Sequence, residues 1–336
     1  MSATNRLESI VIRSPARRAV LIFACLALAA PLRAQEPDLG DAKVSHNRAV
    51  IVNTDWLAAR LDSGVVVVHV GRDDAAFRAA HVPGARFLAM SAVAASVGGI
   101  PNEFPAVTQL TASFRTLGIG DRSRVVIYGD DPGILAARAW TALDILGHGG
   151  RASVLDGGLV KWRAENRPVE TTARPVTPAP FTARWRADRV VSAAWVRAHL
   201  RDSTVAFIDA RVADQYSGAV EPPCPPAPQE CHQLPPARRG HLPGAGNVFW
   251  MNQLVPAENS VFRTMHYLHE DLWVPAGADR APVKTVVVYC RTGMQASHAY
   301  LAARYIGYHD VRIYDGSLFE WAYLPAAQYP LVTGQP

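Results

Sequence analysis

Cys290 ends an apolar run, Val286-Val287-Val288-Tyr289, and Arg291-Thr292-Gly293-Met294-Gln295 follow before a helical pattern begins near Ala296. A strand-to-helix loop aims backbone N–H groups and the positive end of the helix dipole at one point. A thiol there is expected to have a lowered pKa, and a bound anion is expected to be held. One alternative fails on spacing: a cysteine phosphatase needs Cys-x5-Arg to clamp phosphate, and Ala296 stands where that arginine belongs. Other reactive side chains carry less. His81 and His241 recur in the same setting, whereas the cysteine does not, so a structural turn role is expected for both. His298 lies on the helix after the loop, where a solvated or capping role is expected. Asp130-Asp131 precede Pro132-Gly133 and read as a turn rather than a metal pair. No metal and no cofactor are expected.

These residues belong to a chain that repeats itself. Val52-Asn53-Thr54-Asp55-Trp56-Leu57 is echoed by Val191-Ser192-Ala193-Ala194-Trp195-Val196 at an offset of 139, and Arg72 and Phe77 by Arg211 and Tyr216 at the same offset. His81-Val82-Pro83-Gly84-Ala85 matches His241-Leu242-Pro243-Gly244-Ala245 at 160, and Asp156-Gly157-Gly158 through Trp162 matches Asp315-Gly316-Ser317 through Trp321 at 159. The step from 139 to 160 is one insertion of 21 residues, placed at about 217–238. The position of Cys290 falls in the first copy on Asp130, or on Gly129 if a gap follows it, and neither offers a thiol.

The elements that must position the cysteine follow from the pattern. In the second copy Val205–Asp209, Thr285–Tyr289 and Val311–Tyr314 are short continuous apolar runs, separated by helix-length stretches such as Ala296–Ile306. That alternation implies an α/β fold with a parallel sheet flanked by helices on both faces. Ligand sites in such sheets lie at the carboxyl ends of the strands, where Cys290 falls. The expected organisation is one domain over 45–168, a Pro- and Thr-rich linker over 169–186, and a second domain over 187–331.

The duplicated His-x-Pro-Gly-Ala, the strand-Cys-Arg-Thr-Gly loop and the Asp-Gly-x-x-x-x-Trp element together resemble the tandem rhodanese family, the sulfurtransferases acting on thiosulfate or 3-mercaptopyruvate. The resemblance covers roughly residues 45 to 330. It implies two tandem rhodanese-like domains, with the first a non-catalytic scaffold that closes the cleft. By position, Cys290 is then the nucleophile that holds a persulfide, and Arg291, Thr292, Gly293, Met294 and Gln295 form the substrate-binding loop. Arg211 matches a substrate-side arginine of the family, although pairing with Asp209 or Asp214 would also account for it. Arg291 resembles thiosulfate-using members; mercaptopyruvate users tend to a small neutral residue there. Gln215 departs from the family, where a second arginine is common. The implied partners are a small anionic sulfur donor and a thiophilic acceptor such as cyanide, with a non-enzymatic persulfide carrier as the alternative.

The ends and the charge bear on compartment. Arg13, Arg17 and Arg18 precede an apolar run from Ala19 to Ala30, and Leu32-Arg33-Ala34 offers a cleavage end. Residues 1–34 therefore read as a signal peptide, by either the general or the twin-arginine route, and twelve apolar residues are too few to span a bilayer. A periplasmic or secreted monomer, with no membrane attachment after cleavage, is expected. The leader holds five arginines against Glu8, so it accounts for four of the chain's five net positive charges, and nucleic-acid binding loses its support. Of the remaining cysteines, Cys224 and Cys231 lie in the insertion and could form a disulfide, leaving Cys290 free.

Overall fold

The computed structural model describes residues 49–220 and 237–335. The leader, the Cys224/Cys231 pair and most of the insertion lie outside the described residues.

The first domain runs β1 (Ile51–Val52), α1 (Thr54–Ala58), β2 (Val66–Gly71), α2 (Ala75–Ala79), β3 (Arg86–Ala89), β4 (Ala95–Val97), β5 (Ile100–Glu103), α3 (Val107–Thr116), β6 (Val125–Gly129), α4 (Ile134–Ile145), β7 (Ala152–Leu155) and α5 (Gly158–Ala164). The second runs β8 (Val190–Val191), α6 (Ala193–His199), β9 (Val205–Asp209), α7 (Ala213–Ser217), β10 (Gly246–Asn247), β11 (Leu254–Val255), β12 (Val261–Phe262), β13 (Thr285–Tyr289), α8 (Met294–Ile306), β14 (Val311–Tyr314) and α9 (Ser317–Trp321). Each domain holds a five-stranded parallel sheet, ordered β1-β7-β6-β2-β3 in the first and β10-β9-β13-β14-β8 in the second. The three strands expected in the second copy form over the same residues. Its long helix starts two residues earlier than expected, at Met294.

The alternation of side chains along a strand decides which core each residue enters. In β13, Val286, Val288 and then Cys290 face one core, while Val287 and Tyr289 face another. In β6, Val125 and Ile127 take the first face and Val126 and Tyr128 the opposite one. The inner faces of both sheets, with α3, α4 and α8, merge into one continuous apolar cluster in which α4 packs against α8. The outer faces form two separate clusters, one per domain. Cys290 therefore sits on the side of its sheet that faces the other domain.

The repeated motifs have repeated jobs. Asn53 Oδ1 accepts the N–H of Trp56, and Ser192 Oγ that of Trp195, so each caps the first helix of its domain. His81 donates from Nδ1 to the Phe77 carbonyl at 2.7 Å and His241 to that of Tyr216 at 2.8 Å. Each ring also stacks on the aromatic residue it bonds, so both histidines are turn locks. Trp162 and Trp321 are fully buried and donate Nε1–H to Pro168 and Pro330 carbonyls. Residues 169–186 have little regular structure yet are strapped to the first domain: Phe181 is buried, Thr182 bonds Asp121, and the Arg184 N–H bonds the Leu146 carbonyl.

Candidate active site

Three backbone N–H groups, those of Thr292, Gln295 and Ala296, point at the Cys290 sulfur. The loop can wrap the sulfur because Gly293 adopts φ +80°, and a Cβ there would collide with the Asp315 carboxylate. From behind, α9 pins the loop. The Ser317 hydroxyl accepts the Cys290 N–H at 3.1 Å, and the Leu318 and Phe319 N–H groups donate to the Cys290 and Arg291 carbonyls. The Arg291 guanidinium lies 5.3 Å from the Phe319 ring centroid. Gln295 Oε1 is buried and has no hydrogen-bond partner among the described residues.

The thiol is 1% exposed, and this reverses the expected pKa shift. Burial pushes the thiol upward, and the three amides offset only part of the rise; Asp209 opposes the thiolate further. Arg211 is also buried. Its Nε and Nη2 bond Asp209, and Nη2 also bonds the Gly240 carbonyl at 2.8 Å. The local pairing weighed for Arg211 is thus present, and the pair stands within electrostatic reach of the sulfur.

The first domain completes the site from across the interface. Its β4–β5 hairpin places Asn102 Nδ2 3.1 Å from the Thr292 hydroxyl, and the Phe104 N–H donates to Asp315 at 2.6 Å. Arg138, fully buried on α4, forms a two-pronged pair with Asp315 (2.5 and 3.0 Å) and donates to Ser297 Oγ and the Val93 and Asn102 carbonyls. Its guanidinium lies 3.4 Å from the centroid of Phe104. Neither Arg138 nor Asp315 was picked out as a site residue; the available signal was a lone arginine inside the apolar helix Ile134–Ile145. Glu103, beside this cluster, is pushed up to about 8 by burial and by Asp315.

The second domain returns the contact. The Phe262 N–H, in β12, donates to Asp156 at 2.8 Å, and His298 stacks on the Phe262 ring. Offsets of 160, 158 and 159 make Arg138, Phe104 and Asp156 the counterparts of His298, Phe262 and Asp315. His298 is fully buried, contrary to the solvated or capping role expected of it. Burial lowers its pKa to about 3, so the ring is neutral.

The hydroxyls of Tyr128 and Tyr289 accept the N–H groups of the paired residues Val82 and Leu242, which makes Gly129 the structural counterpart of Cys290. A Cβ at Gly129 would stand 3.3 Å from the Ala136 nitrogen, the counterpart of the Ala296 amide that faces sulfur. The Asp131 carboxylate fills this first cradle, accepting the Gly133 and Leu135 N–H groups at 3.0 and 3.2 Å. Asp130 bonds the buried His69 instead. The first domain thus supplies its own anion where the second leaves room for a sulfur.

The rhodanese-like domain model matches residues 53–165 and 192–323. The chain belongs to the rhodanese family. It is 31% identical to the "Putative thiosulfate sulfurtransferase" of Mycobacterium leprae, over 82% of this chain and 95% of that protein. To the 3-mercaptopyruvate sulfurtransferase of Escherichia coli K12 it is 27% identical, over 80% and 94%. Among solved structures, the rhodanese-fold SseA of Escherichia coli superimposes with a TM-score of 0.66 at 26% identity, covering 80% of this chain and 98% of that one. Two tandem rhodanese domains and membership among the sulfurtransferases follow, whereas the named relatives differ in donor.

Proposed function

We propose that this rhodanese transfers sulfane sulfur from thiosulfate to a thiophilic acceptor through a Cys290 persulfide. The observation that carries the reading is the set of Thr292, Gln295 and Ala296 N–H groups aimed at one sulfur. The Cys290 thiolate attacks the outer sulfur of thiosulfate; the new S–S bond forms as the old one breaks, and sulfite leaves with the bonding pair. The terminal sulfur of the persulfide is then attacked by cyanide or another thiophile, thiocyanate or its equivalent leaves, and the thiolate is restored. The loop amides and the Arg291 guanidinium offset the negative charge that each state carries. Arg291 supports thiosulfate over 3-mercaptopyruvate, because a doubly charged donor gains more from an adjacent guanidinium.

Intact mass tests the chemistry. Incubation with thiosulfate should add about 32 Da, one sulfur atom, to the wild type and nothing to Cys290→Ser. Addition to both proteins, or to neither, overturns the persulfide. The ratio of kcat/KM with thiosulfate and with 3-mercaptopyruvate tests the donor, and a strong mercaptopyruvate preference overturns that part. The leader pattern supports an exported enzyme. Cell fractionation checks it, and an uncleaved cytoplasmic protein would refute it.

A further inference from the structure

At the opposite end of the first sheet from the catalytic loops, Trp56, Arg60, Arg122, Arg124, Ser63 and Ser123 line a cleft of about 560 Å³. The Arg60 and Arg124 guanidiniums lie 4.4 and 5.9 Å from the Trp56 ring centroid. All three arginines are exposed, and none of the lining residues is acidic. Three like charges round one hollow repel one another unless an anion joins them. The duplication supplies an internal comparison. On the second domain, the matching Trp195 is flanked by His199 at 3.8 Å and by Arg312 at 5.0 Å. There Arg312 is neutralised by Asp310 through two bonds of 2.9 and 3.1 Å. The two tryptophans share a helix position but not their surroundings: Arg60 stands where the second copy has His199, and the arginine beside Trp195 comes with a carboxylate partner that no residue lining the Trp56 cleft provides. Arg124 also lines a neighbouring hollow with Arg151 and Arg184, whose carboxylate, Asp121, is engaged by Thr182.

We propose that the Trp56–Arg60–Arg122–Arg124 cleft is a second, non-catalytic site for a multiply charged phosphate- or sulfate-type oxyanion. Planar guanidiniums match such oxygens in pairs, and the tryptophan holds two of them in place by stacking. The site is independent of the sulfur-transfer reading, because it touches none of the residues round Cys290.

Calorimetric titration of the full chain at low ionic strength with pyrophosphate, and separately with sulfate, tests it. Wild type should bind pyrophosphate more tightly than sulfate, with affinity falling as salt rises. Arg60→Ala/Arg124→Ala should lose about tenfold or more in affinity, and Arg60→Lys/Arg124→Lys should keep charge but lose part of the paired geometry. Sulfur transfer from thiosulfate should be unchanged in both variants. Co-sedimentation with phosphatidylglycerol vesicles, displaced by pyrophosphate, would identify the oxyanion as a lipid headgroup; binding of free pyrophosphate without vesicle binding would identify a soluble ligand. No binding by wild type, or equal binding by the double Ala variant, overturns the proposal.

Discussion

Arg138→Leu removes the cation that joins the two domains over the catalytic loop. Asp315 is 2% exposed, and without Arg138 it keeps the Phe104 N–H but no positive partner. Breaking a buried ion pair from one side costs about 3–5 kcal/mol, since the remaining charge stays desolvated. The Val93 and Asn102 carbonyls lose their donor as well, which favours the upper half of that range. In urea, with a slope of about 3 kcal/mol per M, a loss of about 4 kcal/mol lowers the unfolding midpoint by about 1.3 M. Adding Asp315→Asn to the leucine variant should return about 2 kcal/mol, because the stranded charge disappears. The duplicate position provides the control. His298 is neutral, its Nδ1 accepts from Gln253 Nε2 at 3.3 Å and its Nε2 has no hydrogen-bond partner among the described residues, so His298→Leu should cost only about 1–2 kcal/mol. Tryptophan fluorescence during urea unfolding of the four proteins reads all of this. Equal losses for Arg138→Leu and His298→Leu, or a loss below about 1 kcal/mol for the former, would refute the charge argument.

Glu103 has its folded pKa raised from 4.5 to about 8, so the folded chain holds a proton that the unfolded chain releases above pH 4.5. Its contribution is full below that pH and is lost as pH rises toward 8; Glu103→Gln should flatten the decline, read as unfolding midpoints across the window. Burial raises the Cys290 thiol, so alkylation by iodoacetamide in the donor-free enzyme should rise with pH through a midpoint above the ordinary value of about 8.5; a midpoint at or below 8 contradicts the burial argument. Asp131 caps Gly133 and Leu135 while burial raises its pKa, so a neutral acceptor should serve. Asp131→Asn should be nearly neutral in thermal unfolding, whereas Asp131→Ala should cost about 1 kcal/mol, the worth of a helix cap.

Local chemistry was legible in the sequence, and burial was not. The repeat offsets picked out the turn histidines His81 and His241, and the apolar pattern picked out the strand that delivers Cys290, because each depends on neighbours close in the chain. Arg138 and Asp315 are 177 positions apart, and nothing between them signals a meeting. The same blindness explains two reversals. The helix-terminus argument for Cys290 was right about the amides but could not weigh them against a fully enclosed sulfur. His298 looked exposed because its neighbours in sequence were considered without Phe262 and Trp250, which enclose it from another element. The register of the first copy's loop also needed three dimensions: Gly129, rather than Asp130, occupies the position of Cys290.

The domain without a cysteine is not merely a spacer. Two domains related by duplication each extend a hairpin onto the other's loop, Phe104 onto Asp315 and Phe262 onto Asp156. The reciprocal contact has diverged: Asp315 meets the Arg138 guanidinium over the cysteine loop, and the counterpart of Arg138 in the other clasp is the buried, neutral His298. The Asn102 contact to Thr292 and the Phe104 and Arg138 contacts to Asp315 tie β5 and α4 of the first domain to the loop that carries Cys290, so a change in either element reaches that loop although neither element supplies a cysteine.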